Sequence, residues 1–152
     1  MICFTRVDSR LIHGQVVQSW LPKVKVQKVI VVSKQAAQNT LMSKMMRMAL
    51  PQGYDLDIVA AEQAFDILKQ DESKKVFLLV EDLIQLLELT EQGVVLQKVN
   101  IGNTKYEDDK KEYAAGVYFN EKDLLIIKKL KEKNIVLSIK ALPSSLEVKI
   151  DD

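Results

Sequence analysis

The sequence predicts an α/β fold: a three-layer α/β/α architecture around an open, mostly parallel twisted sheet of about six to seven strands. Two observations carry this prediction. Apolar, β-branched runs recur along the chain, separated by stretches with helical spacing. Two of them, Val29-Ile30-Val31-Val32 and Val76-Phe77-Leu78-Leu79-Val80, are apolar throughout, as strands covered on both faces must be. No internal repeat or low-complexity linker interrupts the 152 residues, so 1–152 reads as one domain. Right-handed crossovers follow from the alternation, and ligand chemistry is expected outside the carboxyl ends of the strands.

Residues 2–7 read as the first strand, with Cys3 a buried, inert thiol inside it. Residues 14–20 read as a helix stopped by Pro22. After the strand at 29–32, a helix spans about 38–50 and closes at Pro51 and Gly53. Its Met42, Met45, Met46 and Met48 leave two readings open, core filler or an adaptable docking face. A short strand at 56–59 precedes a helix at 61–69, and the strand at 76–80 precedes a helix at 82–90. Residues 99–102 form a strand that enters a loop. The charged stretch 107–111 is a solvated turn, and 117–119 is a further strand. A helix at 121–133 turns residues 124, 127 and 130 inward. The strand at 135–139 is the last, and Asp151 and Asp152 read as a frayed end.

Composition narrows the function. With 22 basic and 21 acidic residues, the net charge of +1 gives no global attraction to nucleic acid or to an acidic membrane. A single cysteine excludes an intrachain disulfide. A single histidine beside it argues against structural zinc. No secretory leader or apolar span of about 20 residues is legible, which makes the cytoplasm the expected location. Neither a G-x-x-x-x-G-K-[ST] loop, a G-x-G-x-x-G turn nor a G-x-S-x-G elbow is present.

The only histidine, His13, lies between the first strand and the first helix, in Arg6-Val7-Asp8-Ser9-Arg10-Leu11-Ile12-His13-Gly14-Gln15. Gly14 permits close backbone approach, and the amides that open a helix, at Gly14 and Gln15, favour an anion. Arginines such as Arg6 and Arg10 bind phosphate in a forked geometry. Imidazole offers a neutral, nucleophilic nitrogen near physiological pH, and phosphoryl transfer asks chiefly for positioning and charge stabilisation. Asp8 is placed to hold an arginine or the second imidazole nitrogen. The residues alone leave other readings open. His13 can be a structural side chain, the arginines can pair with surface carboxylates, and Asp8 can be a cap. Ser33 is a phosphate ligand or the cap of the following helix. Trp20 packs the first helix on the sheet or stacks on a sugar.

The stretch from Arg6 to Val16 closely resembles the R-[IV]-D-x-R-L-I-H-G-Q-V signature of the IIB component of the mannose/fructose/sorbose-type bacterial sugar phosphotransferase system. Trp20, Met48-Ala49-Leu50-Pro51, Val99-Asn100-Ile101-Gly102-Asn103 and Ala141-Leu142-Pro143 extend the resemblance almost along the whole chain. The resemblance implies a phosphohistidine carrier. A phosphorylated IIA domain would load His13, on Nδ1, and His13 would pass the group to a sugar entering through the membrane components IIC and IID. It thus implies the IIB component of a protein-Nπ-phosphohistidine–sugar phosphotransferase. Arg10 would assist transfer and Arg6 would help hold the phosphoryl group. Asp8, Gly14, Gln15 and Ser33 complete the expected phosphate-binding set. No metal or organic cofactor is expected, and a homodimer is compatible with the family. The protein would sit at the inner face of the membrane through IIC and IID. The chain departs from the usual pattern at Ser33-Lys34-Gln35, where many relatives are acidic, and at Asn103-Thr104-Lys105. The alternative is a regulatory protein of the same system, phosphorylated on His13 but serving no transport. The sugar is not legible.

Overall fold

The structure is a computed structural model that describes residues 1–150; Asp151 and Asp152 lie outside the described residues. Six parallel strands and one antiparallel edge strand form a single sheet. The strands are β1 (Ile2–Asp8), β2 (Lys28–Val32), β3 (Asp55–Val59), β4 (Val76–Val80) and β5 (Lys98–Asn103). A separate hairpin follows, β6 (Lys111–Ala114) with β7 (Val117–Phe119), and then β8 (Val136–Ile139) and β9 (Val148–Lys149). The order across the sheet is β3-β2-β4-β1-β5-β8-β9. β1 is central, with β4 and β5 as parallel neighbours, so its carboxyl end opens where the chain order reverses.

Six helices cover the two faces. α1 (Leu21–Val24), α2 (Lys34–Ala37) and α3 (Thr40–Ala49) contribute Leu21, Ala36 and Met46 to one core, against Val29, Val31, Phe77 and Leu79 of the sheet. α4 (Ala61–Gln70), α5 (Leu83–Glu91) and α6 (Glu121–Glu132) contribute Ala64, Leu86 and Leu130 to the other, against Ile30, Val32, Leu78 and Val80. Successive strand residues therefore point to opposite cores, which is why β2 and β4 are apolar at every inner position.

The expected fold class is met, and several element readings are corrected. Pro22 does not stop the first helix. A helical path starts at Gly14, widens into a π-helical turn over Val16–Trp20, and continues as α1 to Val24. Pro22 is the second residue of α1 and lies inside this continuous helical path, directly after the π-helical turn, where it leaves the path unbroken. The helix ends at Lys25 in the left-handed region, φ 52°. The single helix expected at 38–50 is preceded by the short α2, because Ser33 and Asn39 each cap a new start. In α6 the buried apolar positions are Ile126, Ile127 and Leu130, while Leu124 is exposed. The strand expected at 117–119 leaves the main sheet for the hairpin, and β9 supplies the seventh strand instead. Cys3 is exposed, not buried: it falls between the half-buried Ile2 and Phe4, where the pairing of β1 with β4 shifts register. The methionines divide: Met46 is core, whereas Met45 and Met48 are exposed. Among the described residues no helix is long and apolar enough to cross a membrane.

Candidate functional site

β1 ends in a buried carboxylate. Asp8 has no exposed side-chain surface, and the chain turns at once: Leu11 N–H donates to the Asp8 carbonyl at 3.1 Å. Leu11 then takes φ 59°, a left-handed conformation that a bulky residue rarely adopts. Burial of Leu11 and Ile12 in the core of the α1–α3 face holds the loop there. His13 follows, and the helix starting at Gly14 leaves its first amides without intrahelical acceptors. Such amides form an anion site by geometry and by the helix dipole.

Three cationic or ring side chains converge on Asp8. Arg6 donates to Oδ2 from Nε at 3.3 Å and from Nη2 at 3.2 Å. Arg10 donates its backbone N–H to Oδ1 at 3.0 Å, its Nε to Oδ1 at 3.1 Å and its Nη2 to Oδ2 at 3.1 Å. His13 Nε2 lies 3.0 Å from Oδ2. Burial pushes the Asp8 pKa up, but the hydrogen bonds from His13 and Arg10 more than offset it and hold the group at about 2. An ionised carboxylate only accepts, so Nε2 carries a proton, and in the neutral ring the lone pair is then on Nδ1. The His13 side chain keeps 18% of its surface in solvent.

The two arginines differ. Arg10 is 41% exposed, and its Nη2 also donates to Gln15 Oε1 at 3.3 Å. Its Nη1 has no hydrogen-bond partner among the described residues. Arg6 is fully buried. Burial draws its guanidinium below the ordinary pKa, against the opposing charge and hydrogen bonds of Asp8.

The sequence matches the family model described as the PTS system sorbose subfamily IIB component over residues 2–152. The chain belongs to that family. It is 28% identical over 153 residues to the N-acetylgalactosamine-specific phosphotransferase enzyme IIB component 1 of Escherichia coli K12, covering 99% of this chain and 97% of that protein. It is also 28% identical over 154 residues to the mannose-specific EIIAB component of the same organism, of which it spans 48%. The crystal structure of the IIBSor domain of the sorbose permease from Klebsiella pneumoniae superposes with a TM-score of 0.92 at 26% identity, covering 97% of this chain and 92% of that one. This is therefore a IIB component of a sugar phosphotransferase system, a phosphotransferase in kind. The relatives are sugar-specific components, which does not favour the regulatory alternative.

Within this IIB fold the expected site residues separate. Asp8, Arg10, His13 and Gln15 come together in one network. Gly14 opens the helix beside them, with nothing within 4 Å of where a Cβ would stand. Arg6 joins the network from behind, and the expectation that it binds phosphate is corrected: with no exposed surface and every donor committed inside the protein, it has nothing to offer a ligand. Ser33 is corrected likewise. It is fully buried, and its Oγ accepts from Ala36 N–H at 3.0 Å as the cap of α2. Trp20 packs, stacking on Phe4 at 4.8 Å and donating Nε1 to the Ala141 carbonyl at 3.0 Å. A polar cleft of about 600 Å³ opens beside the loop at Ser9, lined also by Glu81, Lys105, Lys110 and Lys122. Its lining contains neither Arg10 nor His13. Sequence reasoning missed Asn100, Gly102 and the carbonyls of Lys140 and Ala141 as parts of the site. The strings Val-Asn-Ile-Gly-Asn and Ala-Leu-Pro marked their neighbourhood without revealing what they touch.

Proposed function

We propose that His13 is the phosphoryl carrier of this IIB component and that Nδ1 is the nitrogen that reacts. The observation that carries this reading is the bond between His13 Nε2 and Asp8. It occupies one ring nitrogen and leaves the other as the only nucleophile. In the first step the Nδ1 lone pair forms an N–P bond as the N–P bond to a phosphohistidine of a IIA partner breaks, the electron pair staying on the donor's nitrogen. In the second step a sugar hydroxyl forms the O–P bond and the bond to Nδ1 breaks. The ring regains its lone pair, and the hydroxyl proton passes to a base of the membrane component. This makes the chain the IIB part of a protein-Nπ-phosphohistidine–sugar phosphotransferase.

Arg10 supplies the mobile charge. Its free Nη1 and half-exposed stem let it turn toward a dianionic group without leaving Asp8 altogether. The first-turn amides at Gly14 and Gln15 add fixed donors. The mannose-specific relative, an EIIAB component, supports a IIA domain as the donor partner. Exposure of His13 at the protein surface suits hand-over between large partners, with IIC and IID holding the protein at the inner membrane face. The chain acts as one domain.

Incubation with a phosphorylated IIA domain tests the reading. Acid-labile label is expected on the wild type and absent from His13→Ala, with the modification mapped to Nδ1. Label retained by His13→Ala would overturn the assignment.

A further inference from the structure

Behind Asp8 the fold encloses one side chain more completely than an ion pair needs. Arg6 has no exposed surface and is the largest fully buried residue. All five of its N–H donors are used. Nε and one Nη2 donor go to Asp8, one Nη1 donor goes to Asn100 Oδ1 at 2.5 Å, and the others go to the carbonyls of Lys140 at 2.9 Å and Ala141 at 3.1 Å. The Trp20 ring lies over the guanidinium, 5.0 Å from its carbon. Asn100 faces Arg6 across the β1–β5 pairing, and it too donates to the Lys140 carbonyl, at 3.1 Å.

Gly102 makes the seat possible. A methyl at this position would overlap the guanidinium carbon and both terminal nitrogens. Its backbone is not among the positive-φ glycines, so space and not conformation calls for glycine. Four stretches distant in sequence, at 6, 20, 100–102 and 140–141, thus converge on a cation that touches no solvent.

We propose that Arg6 is a positioning residue for phosphoryl transfer, acting through Asp8 and not on the phosphate. The proposal rests on His13 being the acceptor. Arg10 must turn charge toward an incoming phosphoryl group. If Arg10 were the only cation on Asp8, that movement would leave a buried carboxylate unpaired beside a dianion and would loosen the ring it orients. Arg6 divides the work. It neutralises Asp8 from the buried side and keeps Oδ2 fixed, so Nε2–H stays pinned and Nδ1 stays outward while Arg10 moves. Asn100, Gly102 and the 140–141 carbonyls serve by holding Arg6.

His13 is the only histidine, so its ring nitrogens can be followed without overlap by 15N NMR on the whole protein. Gly102→Ala displaces the guanidinium without altering the Asp8, Arg10 or His13 side chains themselves. The variant is expected to fold by circular dichroism and to lose the slowly exchanging Nε2 proton. It should accept phosphoryl groups from phosphorylated IIA roughly 10- to 100-fold more slowly, the usual penalty for losing a partner that orients a functional histidine. A fraction of product modified on Nε2 is also expected. Asn100→Ser, which removes one acceptor from Arg6, should show the same changes to a smaller degree, and it carries the test if Gly102→Ala does not fold. A wild-type rate with a single Nδ1 product overturns the proposal. So does a slower rate with the Nε2 proton signal unchanged, which would be simple destabilisation. If the wild type itself takes no label at His13, the carrier reading fails, whereas the Nε2 proton in unphosphorylated protein still reports on Arg6.

Discussion

Arg6 and Arg10 pair with the same carboxylate from opposite sides and end in opposite environments. Arg10 stands in the loop at the carboxyl end of β1, half in solvent, with a donor to spare. Arg6 stands within β1, sealed between β5, Trp20 and the loop after β8, with no donor left. Only three residues separate them in the sequence. The comparison teaches that an arginine near a phosphoryl site is assigned by counting its free donors, because a guanidinium saturated by protein acceptors is structure and an unsaturated one is chemistry.

Breaking the buried side should have the largest consequence. Arg6→Met leaves Asp8 without its inner partner and Asn100 Oδ1 without its donor, while the Lys140 and Ala141 carbonyls keep only Asn100 Nδ2 and Trp20 Nε1, which predicts a loss of about 3–5 kcal/mol in urea denaturation. Unchanged stability would erase the contrast. On the open side, Arg10→Ala should slow phosphoryl transfer by about 10²-fold or more. Its cost in stability should stay within about 1 kcal/mol, since a half-exposed ion pair is screened by water. Arg10→Lys should restore the rate only in part, because a point charge lacks the fork.

Acid should separate the carboxylate from its surroundings. Asp8 sits at about 2 in the folded protein against an ordinary 3.8. The unfolded chain therefore binds the extra proton first. Asp8 contributes stability above about 4, and the contribution fades as pH falls toward about 2. The amount at stake is on the order of 2 kcal/mol. An NMR titration of the Asp8 carboxyl with a midpoint near the ordinary value would refute the arrangement. The smallest effect is expected at Ser33. Ser33→Ala removes the α2 cap at about 1 kcal/mol in thermal or urea unfolding and should leave the transfer rate unchanged. A slowed transfer would return Ser33 to the phosphoryl site.

Much of the frame was legible. β2 and β4 are apolar at successive positions because both sheet faces are covered, and that pattern needs no partner to be read. The strand–histidine–glycine junction at 8–14 was legible because its parts are contiguous. What escaped were elements that depend on a distant neighbour. β9 is two residues with exposed side chains and exists only by pairing with β8. Cys3 stands in an apolar run that predicts burial, yet the register shift between Ile2 and Phe4 leaves it exposed. Leu124 has the right helical spacing, but packing buries Ile126 in its place, beside the expected Ile127 and Leu130.

The sequence by itself determined the alternating architecture, the placement of the sole histidine at a strand–helix junction, and the cluster of Arg6, Asp8, Arg10 and His13 within eight residues. Local spacing encodes these features, and local spacing is visible along one dimension. Only the tertiary structure decided which ring nitrogen is free, which arginine is spent, and why residue 102 has no side chain. Those answers depend on Asn100, Gly102, Lys140 and Ala141 meeting β1 across about 90 to 135 intervening positions. Hydrogen-bond saturation and steric exclusion are properties of the packed chain, and no pattern in the unpacked one carries them.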